Sequence, residues 1–470
     1  MSDQYDVIVI GGGAAGLTAA AVTGELGKRT ALVERERLGG DCTWTGCVPS
    51  KALLKVAKVA HSIRTADRYG ISAAPPVVDM AVLRRHLQAT IQEVYQHETP
   101  QAIAKRNIEI VPGDARFVDA HTIRVGERVM RAKKFVIATG GRAAVPPIPG
   151  LADVPYMTNH NLFDSDRLPG HLLIMGAGPI GMEMGQAHAR LGARVTIIGD
   201  QVMARDEPEA VSVLRQVFER EGIKIIQALV TGARQQGEDI VLTLNDGREV
   251  RGDTLLVAVG RTPNIEGLEL EKAGVAFTKQ GIPVNPRLQT SVPHIYAAGD
   301  VTTGPKFTHY AGYQGSVAGR NALLPFGKAN GQVTHLPWVT FTDPEVAHAG
   351  MTEAEARQQF GEAVKVFTLP LAEGDRSVAE DDTEGFVKLV YRGSGDLLGA
   401  TVVAARAGEM IIEYQLVIQK KISLRKLAGV IHAYPTYSDV AKKALSNLMI
   451  GELLHSRVGW LIKQVVKVLP

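Results

Sequence analysis

A strand, a glycine-rich turn, a helix and a second strand follow one another twice in this chain, and no other feature narrows the fold so far. In the first copy an apolar strand, Tyr5 to Ile10, runs into Gly11-Gly12-Gly13-Ala14-Ala15-Gly16. A helix follows through Ala19, Ala20 and Leu26, and a second strand spans Thr30 to Glu34. In the second copy His171 to Met175 runs into Gly176-Ala177-Gly178-Pro179-Ile180-Gly181, and Arg194 to Ile198 forms the return strand. Both turns have GxGxxG spacing. The first glycine permits the turn, the second lets the backbone approach a pyrophosphate, and the third lets the helix pack closely. The helix N-terminus then faces the phosphates. Two copies predict two dinucleotide sites. Glu34 closes the first with a carboxylate that can accept from ribose hydroxyls. In the second copy the strand runs out at Gly199, and Asp200 follows. A carboxylate there favours the free ribose of NADH and repels the 2′-phosphate of NADPH, whereas Arg205 would attract that phosphate. The choice between the two stays open at this stage, with Asp200 leaning toward NADH.

Three later segments repeat the strand-into-glycine ending: Phe135 to Thr139 and Gly140, Leu255 to Gly260, and Ile295 to Gly299-Asp300, the last with an added carboxylate. Pro146, Pro147 and Pro149 mark a boundary near residue 150. From about residue 339 the character changes. Strands Gly385 to Tyr391 and Leu398 to Ala404 precede helices Glu409 to Gln419 and Ser438 to Leu448, an α+β pattern without a nucleotide motif. The expected fold is α/β: two Rossmann-like dinucleotide-binding domains and a C-terminal α+β domain. The expected spans are 1–149, 150–270, 271–338 and 339–470, the first and third forming one dinucleotide domain.

Composition excludes some functions. With 52 basic and 49 acidic residues the formal charge is +3, so no strong attraction to nucleic acid is expected. The polar opening Met1 to Asp6 reads as no signal peptide, and no charge-free apolar run spans a bilayer, so the expected compartment is the cytoplasm.

The chain has two cysteines, close together in Gly39-Gly40-Asp41-Cys42-Thr43-Trp44-Thr45-Gly46-Cys47-Val48-Pro49-Ser50-Lys51. A reducing cytoplasm gives little use for a structural disulfide, so such a pair is read as catalytic or metal-binding. No neighbouring His or Cys cluster completes a zinc set, and no resident metal is expected. Pro49 suits a first helical turn, and Ala52, Leu53, Val56 and Val59 continue a helical apolar run. A thiol at such a helix start has its thiolate stabilised, and Lys51 adds positive charge.

This segment resembles the active-site signature of the flavin-dependent disulfide oxidoreductases, the family that includes dihydrolipoyl dehydrogenase, glutathione reductase and mercuric reductase. The resemblance covers almost the whole chain: the turn at 11–16, Ala138-Thr139-Gly140, the turn at 176–181, Gly299-Asp300, and Phe341-Thr342-Asp343-Pro344-Glu345 opening the last domain. It implies FAD on Gly11, Gly13, Gly16, Glu34, Thr139, Gly140 and Asp300, with Asp300 at the ribitol, and NADH or NADPH on Gly176, Gly178, Gly181, Asp200 and Gly260. It implies that Cys47 contacts the flavin, that Cys42 attacks a small-molecule acceptor, and that Glu183 pairs with Lys51 beside the flavin. His309, just after the Gly299-Asp300 region, is expected near the FAD. The family works as a homodimer, each active site completed by the partner's C-terminal domain.

The far end departs from the family pattern. Where disulfide reductases carry a His-Pro dipeptide and a later Glu, this chain reads His432-Ala433-Tyr434-Pro435-Thr436-Tyr437-Ser438-Asp439. Tyr434 takes the place of the catalytic histidine and Asp439 that of the glutamate. A phenol is a poor base at neutral pH but donates a hydrogen bond or ligates a metal. His432 either compensates from two residues away or bonds locally, and the local role is expected. A tyrosine here resembles the mercuric reductase branch. That branch also carries a C-terminal cysteine pair, whereas this chain ends Lys463 to Pro470 without one.

Expected, then, is a reductase passing electrons from NAD(P)H through FAD to the Cys42–Cys47 pair and on to a disulfide or soft metal ion. The alternative is a NAD(P)H:quinone or O₂ oxidoreductase at a membrane surface, suggested by the basic amphipathic tail. There Val458, Trp460, Leu461, Ile462, Val465, Val466 and Leu469 alternate with Arg457, Lys463 and Lys467. Packing of that tail on its own domain or partner is expected over membrane contact.

Overall fold

The computed structural model describes residues 3–393, 395–454, 456, 460–461 and 464. The chain divides into two compact units, residues 1–200 with 226–333, and residues 201–225 with 334–470. Of the amphipathic tail at 457–470, Trp460 and Leu461 are described among the apolar positions, and both are exposed; the rest of that pattern lies outside the described residues.

The first unit is built on a sheet whose centre is β1 (Asp3–Ile10). It pairs in parallel with β2 (Thr30–Glu34), which pairs with β3 (Ile108–Pro112). On the far side come β6 (Arg128–Ile137), β5 (Thr122–Val125) and β4 (Ala115–Asp119). Side chains alternate along a strand, so β1 feeds two cores. Ile8 and Ile10 join Val33, Phe117, Phe135 and Ile137 on one face. Val7 and Val9 join Leu32 and Val136 on the other, where α1 (Ala14–Glu25) covers them with Ala15, Ala19 and Ala20. Burial on both faces is why these strands are continuously apolar.

The second copy of the pattern has the same parts. Here β8 (His171–Met175) pairs in parallel with β9 (Arg194–Gly199) and with β10 (Thr254–Val257), and α5 (Pro179–Leu191) follows the glycine turn. Short β7 (Gly141–Ala143) pairs antiparallel with β11 (Arg261–Pro263), and β12 (Ile295–Ala297) adds to β6 in parallel. After β12, the long helix α6 (Thr308–Leu323) lies directly on α1. A Cβ on Gly315 would sit 2.2 Å from the Ala15 carbonyl oxygen, so the two backbones nearly touch and the start of α6 is fixed relative to the first glycine turn.

In the second unit β13 (Trp338–Thr340), β14 (Glu345–Gly350), β15 (Val364–Pro370), β16 (Phe386–Arg392) and β17 (Asp396–Ala404) form an antiparallel sheet in the order β13–β14–β17–β16–β15. Ala347, Leu389, Ala400 and Val402 point into a core closed by α7 (Ala407–Ile418) and α8 (Tyr437–Leu454). The expected strands and helices of this region are found with ends shifted by a few residues, α8 running six residues past Leu448. Chain segment 201–225 packs within this unit. Trp338 Nε1 donates to Asp206 at 2.9 Å, and Lys388, with its side chain 3% exposed, meets Glu207 at 3.0 Å and Glu209 and Glu353 at 2.8 Å. Among the described residues no helix is long and apolar enough to cross a membrane.

Candidate active site

The first glycine turn folds as its spacing requires. Gly11 has φ +103°, and a Cβ there would meet the Ala138 carbonyl oxygen at 2.4 Å. A Cβ on Gly16 would lie 1.7 Å from the Gly11 oxygen, so only glycine lets α1 rise this close to β1. The second turn repeats this: Gly176 has φ +118° with Ala258 at 2.3 Å, and Gly181 would strike the Gly176 oxygen at 1.9 Å. Glu34 ties the first turn down by accepting from the Gly12 amide at 2.6 Å and the Glu36 amide at 2.8 Å.

In front of the first turn lies a cavity of about 510 Å³. Gly11, Gly13 and Glu34 line one part of it, Thr139, Gly140 and Asp300 another, and Cys42, Cys47, Lys51 and Glu183 a third. A side chain on Gly13 would meet nothing nearer than 3.9 Å, so the backbone there is open to the cavity, as a pyrophosphate needs. The residues present therefore fit a bound FAD. Gly176, Gly178, Gly181, Asp200 and Gly260 lie outside this cavity, around the second turn, where a Cβ on Gly178 would meet nothing within 4 Å. Asp200 is exposed just past the end of β9. His309 does not line the cavity; its ring stacks on Phe307 at 5.3 Å.

The cysteines sit where α2 (Gly40–Trp44) gives way to α3 (Cys47–Arg64), whose first residue is Cys47. The buried stripe of α3, which packs on α4 (Met80–Tyr95), is Leu53, Ala57 and Ala60, leaving Val59 exposed. The cysteines are unlinked, and both are half-buried. The Cys42 thiol donates to Cys47 and holds the Cys47 sulfur as a thiolate, its pKa pulled down to about 6 against the cost of burial. The Thr308 hydroxyl, 3.3 Å away, and Lys51 add to this effect. Cys42, as the donor, is pushed the other way and stays protonated. Lys51 Nζ lies 2.8 Å from Glu183 Oε2, a carboxylate carried by α5 and buried. Arg261 donates to Asp41 at 2.6 Å, to the Gly141 carbonyl at 2.6 Å and to Asp300 at 3.0 Å.

Tyr434 and Asp439 belong to the second unit. Tyr434 is exposed, and its hydroxyl donates to Asp375 at 2.5 Å, while Asp439, at the start of α8, donates its backbone amide to the Thr436 hydroxyl oxygen at 3.2 Å. The carboxylate bonded to the phenol is thus Asp375, which the sequence reading missed. That bond raises the Tyr434 pKa above 10.0. His432 is held locally, with Nε2 2.9 Å from Glu413 and Nδ1 3.0 Å from the Val430 carbonyl. The reading also missed Thr308, Asp41 and Arg261. Thr308 stands one residue before the His309 expected near the FAD from its place after Gly299-Asp300, so the sequence marks the segment but not the residue. Among the described residues no group of three or more His, Cys, Asp or Glu is placed to hold a metal ion.

Comparison with known proteins agrees with this geometry. Residues 5–315 match the family model described as pyridine nucleotide-disulphide oxidoreductase, and residues 336–445 match the dimerisation domain of the same family. A mercuric reductase of Shigella flexneri is 39% identical over 461 residues, covering 94% of this chain and 80% of its own length. A dihydrolipoyl dehydrogenase of Geobacillus stearothermophilus is 32% identical, with 96% of this chain and 97% of its own covered. Among solved structures, the HOCl-induced flavoprotein disulfide reductase RclA of Escherichia coli superposes with a TM-score of 0.84 at 28% identity, over 94% of this chain and 99% of its own. The chain belongs to the pyridine nucleotide-disulphide oxidoreductase family. It is accordingly a flavoprotein that uses FAD and NAD(P)H, a disulfide or metal reductase, and its dimerisation domain supports a homodimer.

Proposed function

We propose that this enzyme delivers the electrons of NAD(P)H to an acceptor bound at the Cys42–Cys47 pair, and that the acceptor is a soft, thiophilic metal ion or a disulfide. The observation that carries the reading is the polarised pair of sulfurs lining the cavity in front of the first glycine turn, Cys47 as thiolate beside Thr308 and Lys51, Cys42 as its proton donor. FAD, when bound, supplies a two-electron carrier between the nicotinamide and the dithiol. We assign its binding to residues 1–149 and 271–338, that of the nicotinamide dinucleotide to 150–270, and dimer contacts to 339–470.

The residues divide the work as follows. Lys51, fixed by the buried Glu183 carboxylate, keeps positive charge beside the thiolate. Toward a disulfide, Cys42 attacks one sulfur and expels a thiolate; Cys47 then attacks Cys42, closing the Cys42–Cys47 bond. The second thiolate leaves with the electron pair; the Cys42 proton goes to one product thiolate and solvent supplies the proton of the other. That route needs Cys42 to lose its proton. In the second unit the place of the usual base holds Tyr434, whose phenol stays protonated through neutral pH, and His432 is tied to Glu413. A soft metal ion displaces thiol protons by coordination and needs no such base. This favours the metal reading, as do the mercuric reductase relatives and a Cu(II) complex of RclA. In the homodimer Tyr434 of one subunit would orient the acceptor at the dithiol of the other.

The test is anaerobic NADH and NADPH oxidation against mercuric and cupric ions with a small thiol, a set of disulfides, and quinones. The reading predicts turnover with a metal ion or disulfide that is abolished by Cys42→Ser or Cys47→Ser with FAD retained. Quinone turnover that survives both changes, or O₂ turnover that survives them when the assay is repeated in air, contradicts it.

A further inference from the structure

Asp41 directly precedes Cys42 and places a carboxylate in the cavity that must take the anionic pyrophosphate of FAD. Asp300 places a second there. Two carboxylates facing such a ligand cost free energy unless a cation sits between them. Arg261 sits there. Its Nη2 reaches Asp41 and the Gly141 carbonyl, both at 2.6 Å, while Nε reaches Asp300 at 3.0 Å. The side chains of Arg261, Asp41 and Asp300 are 22%, 29% and 17% exposed, so the triad is shielded from solvent and weakly screened. Arg261 is itself held at the start of β11, in register with β7.

The triad also reaches the sulfurs. The Asp41 carbonyl accepts from the Thr45 amide at 2.9 Å, and a Cβ on Gly46, the residue capping α3 before Cys47, would lie 2.7 Å from that same carbonyl oxygen. Asp41 therefore anchors the loop joining Cys42 to Cys47. Asp300 stands on the turn after β12, where Lys306 holds its carbonyl at 2.6 Å.

We propose that Arg261 is a positioning residue that ties the dithiol loop, through Asp41, to the Asp300 turn and so sets the approach of Cys47 to the flavin ring. The inference rests on the reading above that FAD lies along this cavity with Asp300 at its ribitol. A planar guanidinium bridges two carboxylates and a carbonyl at once, which a lysine ammonium does not reproduce.

The test compares purified holoenzyme of the wild type, Asp41→Asn and Arg261→Lys. Three quantities are read: FAD per subunit, the long-wavelength charge-transfer absorbance per FAD after two-electron reduction, and the rate of flavin reduction by NADH. Asp41→Asn is expected to keep its FAD and its rate of flavin reduction. Its charge-transfer absorbance and acceptor turnover are expected to fall together by about tenfold, the size of one lost charge-assisted hydrogen bond. Arg261→Lys is expected to lie between Asp41→Asn and the wild type. A charge-transfer band present in the wild type and unchanged in Asp41→Asn overturns this inference alone. A band absent from the wild type overturns the dithiol reading and this inference with it.

Discussion

The hydroxyl of Thr308 lies 3.3 Å from the sulfur of Cys47, joining the first residue of one long helix to the first residue of another. Because α6 is seated on α1 almost backbone to backbone, the hydroxyl is held in place and can stabilise a thiolate by donating to it. Thr308→Val keeps the branched shape and removes the donor. The Cys47 pKa is expected to rise from about 6 by roughly one unit, the equivalent of one modest hydrogen bond to a charged group. The pH dependence of Cys47 alkylation in the reduced enzyme measures this; an unmoved midpoint contradicts the assignment.

The same thiolate sets a pH dependence in the native enzyme. Its pKa lies below the ordinary thiol value of 9.0, so the charged sulfur persists above about pH 6 and is lost as pH falls through that value. Stability linked to it runs the same way, fully present above the unfolded thiol value and lost on acidification through about 6. Charge-transfer absorbance of the reduced enzyme should follow this titration, rising with pH through about 6. A midpoint near 9 would show that Cys42, Thr308 and Lys51 do not act on Cys47 as described.

Tyr434 and Asp375 give a second prediction for turnover. Tyr434→Phe should lower acceptor turnover by about tenfold while leaving FAD content and flavin reduction unchanged, as expected when one hydrogen bond to the acceptor is lost. Since Asp375 raises the phenol pKa above its ordinary value, the turnover profile should show no phenol ionisation through neutral pH. His432→Gln should have little effect on turnover, because that ring is bonded to Glu413 and the Val430 carbonyl.

Asp200 predicts the choice of nucleotide. It is exposed just beyond β9, where a carboxylate suits a free ribose and opposes a 2′-phosphate. NADH is expected to exceed NADPH in kcat/KM, and Asp200→Asn to narrow the ratio by about tenfold through relief of one charge repulsion. A ratio that the substitution leaves unchanged would move the specificity elsewhere.

Lys388 predicts stability. Its buried ammonium faces Glu207, Glu209 and Glu353, and these carboxylates outweigh the cost of burial and raise its pKa. Lys388→Ala strands a buried carboxylate and should destabilise the second unit by about 3–5 kcal/mol. Chemical denaturation followed by the fluorescence of Trp338, which donates to Asp206 in the same unit, reads this directly.

Much of this was legible in the sequence because it is local. A glycine turn, its flanking strands and a Cys42–Cys47 spacing are set by a few neighbouring residues, and the turns at 11–16 and 176–181 pack alike because the same three glycines solve the same steric problem. The partners that tune the site are brought in by tertiary packing. Thr308 is 261 residues from Cys47, Arg261 is 220 from Asp41, and Tyr434 is 59 from Asp375. No periodicity encodes such distances. His309 draws notice by its place after Gly299-Asp300, yet the helix start turns Thr308, one position earlier, toward the sulfur. Asp439 drew notice by motif position, yet its amide caps a turn while Asp375 takes the phenol.

The central claim is that Cys47 is the sulfur that meets the flavin and Cys42 the one that meets the acceptor. The absorbance of the anaerobic two-electron-reduced wild type, and of Cys42→Ser and Cys47→Ser with their FAD left oxidised, together with turnover on a mercuric or disulfide acceptor, tests it most directly. The account predicts that both variants bind FAD and lose turnover, that Cys42→Ser keeps a long-wavelength charge-transfer band, and that Cys47→Ser lacks one. Turnover retained in both variants, or a band retained without Cys47, would contradict it.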